Sequence, residues 1–129
     1  MTRYENAAYA ALRIVAGFLF LFHGVQKVLG YFTARPQPEV LSQMWIGGMI
    51  ELVGGAMIAL GLLTRPAAFV SAGTMAVAYF QFHWKLQGGE QILPIANGGE
   101  MAALYCFVFL FIFVKGAGVA SLDGVLRRS

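Results

Sequence analysis

A small number of ionisable residues stand inside long apolar runs, and these residues carry the chemistry that the sequence offers. Glu51 lies within such a run, with glycines on both sides. A carboxylate inside a hydrophobic span is costly and faces a protein interior or a wet cavity, so it indicates a functional site. The alternative is a structural glutamate that hydrogen-bonds a neighbouring helix. Gly48, Glu51 and Gly55 share one helix face, where another helix can approach closely.

His23, Gln26 and Lys27 follow one another at the spacing that places side chains on one face of a helix. His23 can exchange protons near neutral pH, and together with Glu51 it is the predicted catalytic pair. Gln26 and Lys27 are predicted to bind the oxygens of a ligand. Lys27 could instead extend its ammonium group to the membrane interface, and His23 could be a buried structural residue.

Three further candidates come from the second half of the chain. His83 closes the third apolar run, beside Trp84, so it fits either a ligand site or an interfacial belt. Asn97 and Glu100 have the spacing of a helix capping box, and we expect them to bind ligand at a cavity mouth as well. The histidines and glutamates come from four different segments, which favours a hydrogen-bond network. We therefore expect no metal site.

The elements that position these residues follow from composition. Of 129 residues, 59% are hydrophobic and 12% are charged, whereas soluble domains carry about 25% charged residues. Nine basic and six acidic side chains, thinly spread, also exclude a nucleic-acid module. A spanning helix needs about 20 residues. The sequence thus predicts an all-α integral membrane four-helix bundle, one domain over 1–129, with spans at about 8–30, 44–63, 67–84 and 100–114.

Charge near the ends of the spans predicts the orientation. The N-terminus, the break at 64–66 and the C-terminus share one side, which collects six Lys or Arg residues against three on the other. Both termini are therefore expected in the cytoplasm, in a multi-pass protein of the cell membrane. We expect Arg13 to extend to that cytoplasmic interface, the first helix to stay in the mature protein, and the tail to form an interfacial half-helix capped by Ser121.

This topology gathers every candidate site residue in the outer half of the bundle. His23 and Glu51 each lie about 10 Å from the outer end of their span, so their depths match. The pair His23 and Glu51 in the first hairpin also corresponds to the pair His83 and Glu100 in the second. A duplication of one two-helix unit would produce this correspondence. The outer half is therefore the predicted site, and the apolar inner half would hold the tail of a ligand.

The ordered set of motifs resembles the DoxX family of small four-helix membrane proteins. The first helix contributes Leu12-Arg13, Gly17 and the run from Phe22 to Lys27. The remaining motifs, in chain order, are Glu51-Leu52-Val53-Gly54-Gly55, Gly61-Leu62-Leu63-Thr64-Arg65, Ala78-Tyr79-Phe80 with His83, Asn97-Gly98-Gly99-Glu100, and Gly116-Ala117-Gly118 with Ser121-Leu122-Asp123. Ala117 stands where the family often has proline.

The resemblance implies a redox context. Members of the family are associated with a thiosulfate:quinone oxidoreductase, with redox complexes and with quinone or catechol detoxification, generally beside other subunits. We therefore expect a redox-associated subunit that binds a quinone-like molecule. No motif encodes a cofactor, and a quinone is the candidate cofactor. Electrons would come from a partner, because the chain shows no flavin, haem or iron-sulfur motif. The expected partners are the lipid bilayer, a redox subunit and a second copy of the chain, without nucleic acid. A membrane anchor or assembly factor and a proton-coupled carrier are the alternatives.

Overall fold

The computed structural model describes residues 2–34, 36–80 and 99–128, and in these ranges the chain is a bundle of helices. Helix α1 is continued by a π-helical segment, and a short α5 follows the four long helices. The bounds are α1 Arg3–Gly24, the π-helical segment Val25–Leu29, α2 Gln43–Leu60, α3 Thr64–Ala78, α4 Glu100–Lys115 and α5 Leu122–Arg128.

Hydroxyl side chains set where the first two helices begin. The Thr2 hydroxyl oxygen accepts a hydrogen bond from the backbone N–H of Glu5 at 3.1 Å, so α1 begins five residues before the predicted span. The Ser42 hydroxyl oxygen accepts from the N–H of Trp45 at 3.2 Å and starts α2. Both contacts satisfy amide groups that lack a partner in the first turn of a helix.

The break between α2 and α3 differs from the prediction. Gly61 ends α2 with a φ of +70°, Leu63 has a φ of +47°, and α3 already begins at Thr64. The predicted break at 64–66 is therefore wrong by one turn. Pro66 lies in the first turn of α3, where its missing N–H group costs no helical hydrogen bond.

Large apolar side chains are exposed on the surface, and two charged side chains among the described residues are buried. Phe18 is 54% exposed and Phe107 69% exposed, while Arg13 and Glu51 are buried at 0% and 2%. Lys, Glu, Arg and Asp are almost never fully buried unless paired. Two of the described helices, Arg3–Leu29 and Gln43–Leu60, are long and apolar enough to cross a membrane. Such an apolar surface is compatible with contact to lipid.

Helices α1 and α2 approach each other closely along two pairs of glycines. A Cβ atom on Gly17 would lie 2.5 Å from the backbone nitrogen of Ala59, and one on Gly55 would lie 2.6 Å from that of Leu21. Gly24 and Gly48 form the second pair, seven residues away on each helix. The close approach predicted for the face that carries Glu51 is thus confirmed, and α1 is the neighbouring helix.

Arg13 forms the centre of what we call the terminal end, the end of the bundle where the α2–α3 turn meets the segment after α4. Its side chain is 0% exposed. The guanidinium group donates to the carbonyl oxygens of Ile58 at 3.1 Å, Val119 at 3.0 Å and Ala120 at 2.7 Å, and also to that of Ala117. The predicted extension of Arg13 to the interface is wrong, because four backbone carbonyls bind it inside the protein.

The side chain of Asp123 joins the C-terminal segment to this end, and that of Ser121 caps the segment's own helix. The Asp123 carboxylate accepts hydrogen bonds from the N–H groups of Leu63 and Thr64, at 2.8 and 3.0 Å, and from the Thr64 hydroxyl. It thereby caps the start of α3. The Ser121 hydroxyl oxygen accepts from the N–H of Gly124 at 3.1 Å, which confirms the predicted cap of the C-terminal helix.

Substitution of Gly55 tests the close approach of α1 and α2. In Gly55→Ala the added carbon would collide with the backbone of α1, so we expect overpacking to cost about 1–3 kcal/mol of stability. Gly47→Ala is the matched control on the same helix, because a Cβ there meets nothing within 4 Å. Thermal unfolding in detergent, followed by circular dichroism, measures both. Equal melting temperatures for the two variants would contradict the close approach.

The role of Arg13 is tested by Arg13→Met, which leaves four backbone carbonyl groups without their donor, two of them in buried hydrogen bonds. A buried group left unpaired costs about 1–3 kcal/mol, so we expect severe loss of stability or of folded protein. Arg13→Lys should recover only part of the loss, because an ammonium group offers three donors and no planar fork. Arg3→Met, at an exposed arginine of the same helix, is the control. A stable Arg13→Met variant would refute the role.

Candidate ligand-binding cleft

A cleft of about 720 Å³ opens at the other end of the bundle, which we call the loop end because the α1–α2 connection lies there. Its lining comes from the end of α1 with its π-helical extension, from α2 and from α3. The described lining residues are His23, Lys27, Gln43, Met44, Ile46, Gly47, Ile50, Glu51, Val70, Gly73, Thr74, Met75, Val77 and Ala78.

An ion pair between Lys27 and Glu51 forms the polar part of this cleft. The Lys27 ammonium group donates to the Glu51 carboxylate. The carboxylate side chain is 3% exposed and the lysine side chain 34% exposed. Pairing reduces the high cost of each charge in a low-dielectric surrounding. The two predicted residues are therefore neighbours, with the lysine on the accessible side of the pair.

The local backbone explains how Lys27 reaches the carboxylate. The helix widens into a π-helical turn at Val25–Leu29 and stops at Gly30, whose φ is +75°. Gly48, one turn before Glu51, leaves room for the lysine stem, because a Cβ there would lie 2.8 Å from the Lys27 Cβ. Single π-helical turns within α-helices occur frequently at functional sites.

His23 also lines the cleft. Its ring contacts that of Tyr105, an aromatic residue that the sequence analysis does not predict as part of the site. The edge of one ring meets the face of the other in the His23–Tyr105 pair, with ring centroids 5.9 Å apart and planes at 86°. Tyr105 is held in turn by Phe109, stacked at 5.5 Å, and by Phe20 at 5.4 Å. No spacing in the sequence indicates this contact between α1 and α4.

Gln26 does not share the cleft with its two neighbours. Its side-chain amide donates to the backbone carbonyl of Phe32 at 3.0 Å, so it fastens the α1–α2 connection to the end of the helix. The common face predicted for His23, Gln26 and Lys27 assumed an α-helical register, and the π-helical turn changes that register. Of the three, His23 and Lys27 line the cleft.

The remaining candidates lie outside the described cleft lining or outside the described residues. Glu100 is exposed in the first turn of α4, and Gly99 is the residue that caps this helix. The predicted capping box, with Asn97 as the cap, is therefore not the cap of α4. Asn97 and His83 lie outside the described residues, as does the predicted repeat that depends on His83.

The described part of the cleft can bind a polar group at one end and apolar groups elsewhere. Within residues 2–34, 36–80 and 99–128, no three His, Cys, Asp or Glu residues lie close enough to hold a metal ion. The ion pair and His23 offer hydrogen-bond donors and a carboxylate for proton exchange. Thr74 adds a hydroxyl group, which donates to the carbonyl of Val70 at 2.8 Å. Much of the remaining wall is apolar.

A helical bundle with an apolar surface and buried charges at both ends has the construction of an integral membrane protein. The DoxX family model matches residues 8–84, and the chain belongs to the DoxX family. The predicted family and the predicted all-α membrane bundle are thereby confirmed. The match covers the residues of the ion pair and the glycines between α1 and α2.

Curated relatives extend the similarity over nearly the whole chain. An uncharacterized protein of Haemophilus influenzae is 39% identical over 126 residues, which cover 95% of this chain and 93% of the relative. The inner membrane protein YqjF of Escherichia coli is 26% identical, with coverage of 99% and 98%. A Bacillus subtilis relative named "Putative oxidoreductase CatD" is 25% identical, with coverage of 87% and 81%. No solved structure matches the chain significantly.

The ion pair is tested by removing one partner and then both. Lys27→Met leaves a buried carboxylate unpaired, and such a change costs about 3–5 kcal/mol when both charges are fully buried. Because the lysine is about one-third exposed, we expect roughly 2 kcal/mol. The double variant Lys27→Met with Glu51→Gln should recover most of this loss. Chemical unfolding in detergent measures all three proteins, and a single variant as stable as the unchanged protein would contradict the pair.

Proposed function

We propose that this protein is a redox-associated membrane subunit whose cleft binds the head group of a quinone-like molecule. The observation that carries the proposal is the ion pair of Lys27 and Glu51, which keeps a charged donor and a carboxylate in a cleft with largely apolar walls. Ligand sites are mostly apolar with a few convergent polar groups. A ring with carbonyl oxygens and apolar substituents has the complementary chemistry.

Each polar residue has a distinct role in this proposal. The Lys27 ammonium group, the more exposed of the pair, donates to a carbonyl oxygen of the ring. Glu51 accepts or supplies a proton through that contact, and His23 exchanges a proton at the neighbouring wall. Reduction of a quinone to a quinol takes up two electrons and two protons, and the cleft residues transfer only the protons.

The two electrons come from a partner subunit that carries a redox centre, in keeping with the oxidoreductase in the name of the Bacillus subtilis relative. The partner's centre is oxidised as the quinone is reduced. We place both termini of the chain in the cytoplasm because Lys and Arg residues are in excess at the terminal end. The cleft then opens in the outer half of the membrane.

A carrier function is less well supported than ligand binding. A transported polar solute needs a polar path across the bundle. In α1 the apolar Phe20 lies between Arg13 and His23, and its ring packs against Phe109 at 4.6 Å. Both phenylalanines are fully buried. Within the described residues, this aromatic contact separates the cleft from the polar groups at the terminal end.

The proposal predicts bound quinone in the purified protein. The chain is purified in mild detergent, extracted with organic solvent and analysed by mass spectrometry, and binding of an added quinone is then titrated. We expect Glu51→Gln and His23→Ala to weaken binding at least about tenfold, or ~1.4 kcal/mol. Glu39→Gln is the matched control, because Glu39 is exposed and lies outside the cleft lining.

Circular dichroism and melting temperature show whether each variant is folded before its binding is measured. If no quinone co-purifies, none binds when added, and neither substitution has an effect, ligand binding is refuted and a membrane anchor is favoured. Uptake of a polar solute into proteoliposomes would instead favour the carrier.

A further inference from the structure

We infer that the ligand carries a long apolar chain, and that this chain lies in the groove between α2 and α3 that continues from the cleft. The inference rests on the proposed function, because it assigns the remainder of the molecule whose head occupies the cleft. It adds the class of ligand, which is a lipid-like molecule with a polar ring, and its path of access, which is sideways from the bilayer.

The first observation is that the cleft and the groove are continuous. The groove has a volume of about 370 Å³ and is lined by residues from Trp45 to Met57 of α2 and from Pro66 to Ser71 of α3. Ile46, Ile50 and Val70 line both the groove and the cleft. A molecule whose head lies at the ion pair can therefore extend directly into the groove.

The second observation is the change of chemistry along this path. Ion-pair and histidine side chains lie at the cleft end, whereas Val53, Met57 and Ala67 are typical of the groove wall. A ligand with a polar head and an apolar chain matches this change from polar cleft to apolar groove, and a wholly polar ligand does not.

The third observation is length. Ile46 and Met57 are eleven residues apart in α2, and eleven residues of α-helix advance about 17 Å. The hydrocarbon core of a bilayer is about 30 Å thick, so the groove has about the depth of one leaflet. The ligand head lies at the depth of Glu51, so the chain follows the groove from there to Met57, six residues away in α2. Six residues of helix advance about 9 Å, which is well beyond a methyl or methoxy substituent.

A second apolar groove, between α1 and α4, provides the comparison. It has a volume of about 500 Å³ and is lined by α1 residues such as Leu12 and Val15 and by α4 residues such as Leu104 and Val108. Tyr105 of the larger groove contacts the ring of His23, but the described linings of this groove and the cleft share no residue. The smaller groove shares three with the cleft, so we assign the chain to it.

Photolabelling of the full chain in nanodiscs tests the assignment. One probe is a benzoquinone with a decyl chain and a diazirine at the chain end, and the other carries the diazirine on the ring and has no chain. We expect the chain-end probe to label groove residues outside the cleft, such as Val53, Met57 and Ala67, and the ring probe to label the cleft. Excess unlabelled decyl benzoquinone should abolish both labelling patterns.

A pair of variants adds a binding measurement. Val53→Trp narrows the groove and should weaken binding of the decyl compound at least fivefold while leaving the chainless ring unchanged. Leu60→Trp is the matched control, because it lies on the same helix outside the groove lining. The two side chains are exposed to a similar extent, at 49% and 55%, so both substitutions face lipid.

Three outcomes would overturn the inference. Labelling of Leu12 or Val108 by the chain-end probe would place the chain in the other groove. If unlabelled decyl benzoquinone abolishes labelling by the ring probe but not by the chain-end probe, the chain assignment alone is refuted. Absence of competed labelling by both probes would refute the proposed function, and the chain assignment with it.

Discussion

The close packing of α1 against α2 determines where the other functional side chains lie. Two glycines on each helix bring the backbones together, and every added carbon at Gly17, Gly24 or Gly55 would collide with the opposite backbone. Lipid surroundings offer no hydrophobic drive to hold two helices together, so small residues and polar contacts must do so. With the helices in this position, Lys27 and Glu51 lie within reach of each other across the interface.

The two ends of the bundle then use their buried charges differently. At the terminal end, the Arg13 guanidinium group donates hydrogen bonds to four backbone carbonyls. These bonds are made within the protein and hold the segments of that end together. At the loop end, the ion pair borders an open cleft, and its lysine stays partly accessible. A charge that is surrounded by backbone supports the fold, while a charge pair beside a cavity remains available to a ligand.

The sequence was sufficient for the membrane class, for the family, and for the α2 face around Glu51 on which another helix packs, because charge scarcity and glycine spacing are local signals. That the other helix is α1 came from the structure. The sequence failed for Arg13, since a basic residue near the end of a span usually reaches the interface, and three of the four carbonyls that bind it come from more than 100 residues away. Gln26 was predicted on the wrong face because the residue pattern does not indicate the π-helical turn. Tyr105 was missed because its contact with His23 depends on tertiary packing between α1 and α4.

Binding of a ligand head at the ion pair can be followed at the lysine itself. Nitrogen-15 NMR of the lysine side chains in detergent detects it, with the Lys27 signal assigned by its loss in Lys27→Met. On titration with decyl benzoquinone, we expect a saturable shift of the Lys27 ammonium signal and no shift of Lys115, at the opposite end of the bundle. An unchanged Lys27 signal at saturating quinone, or equal shifts of both lysines, would contradict binding at the ion pair.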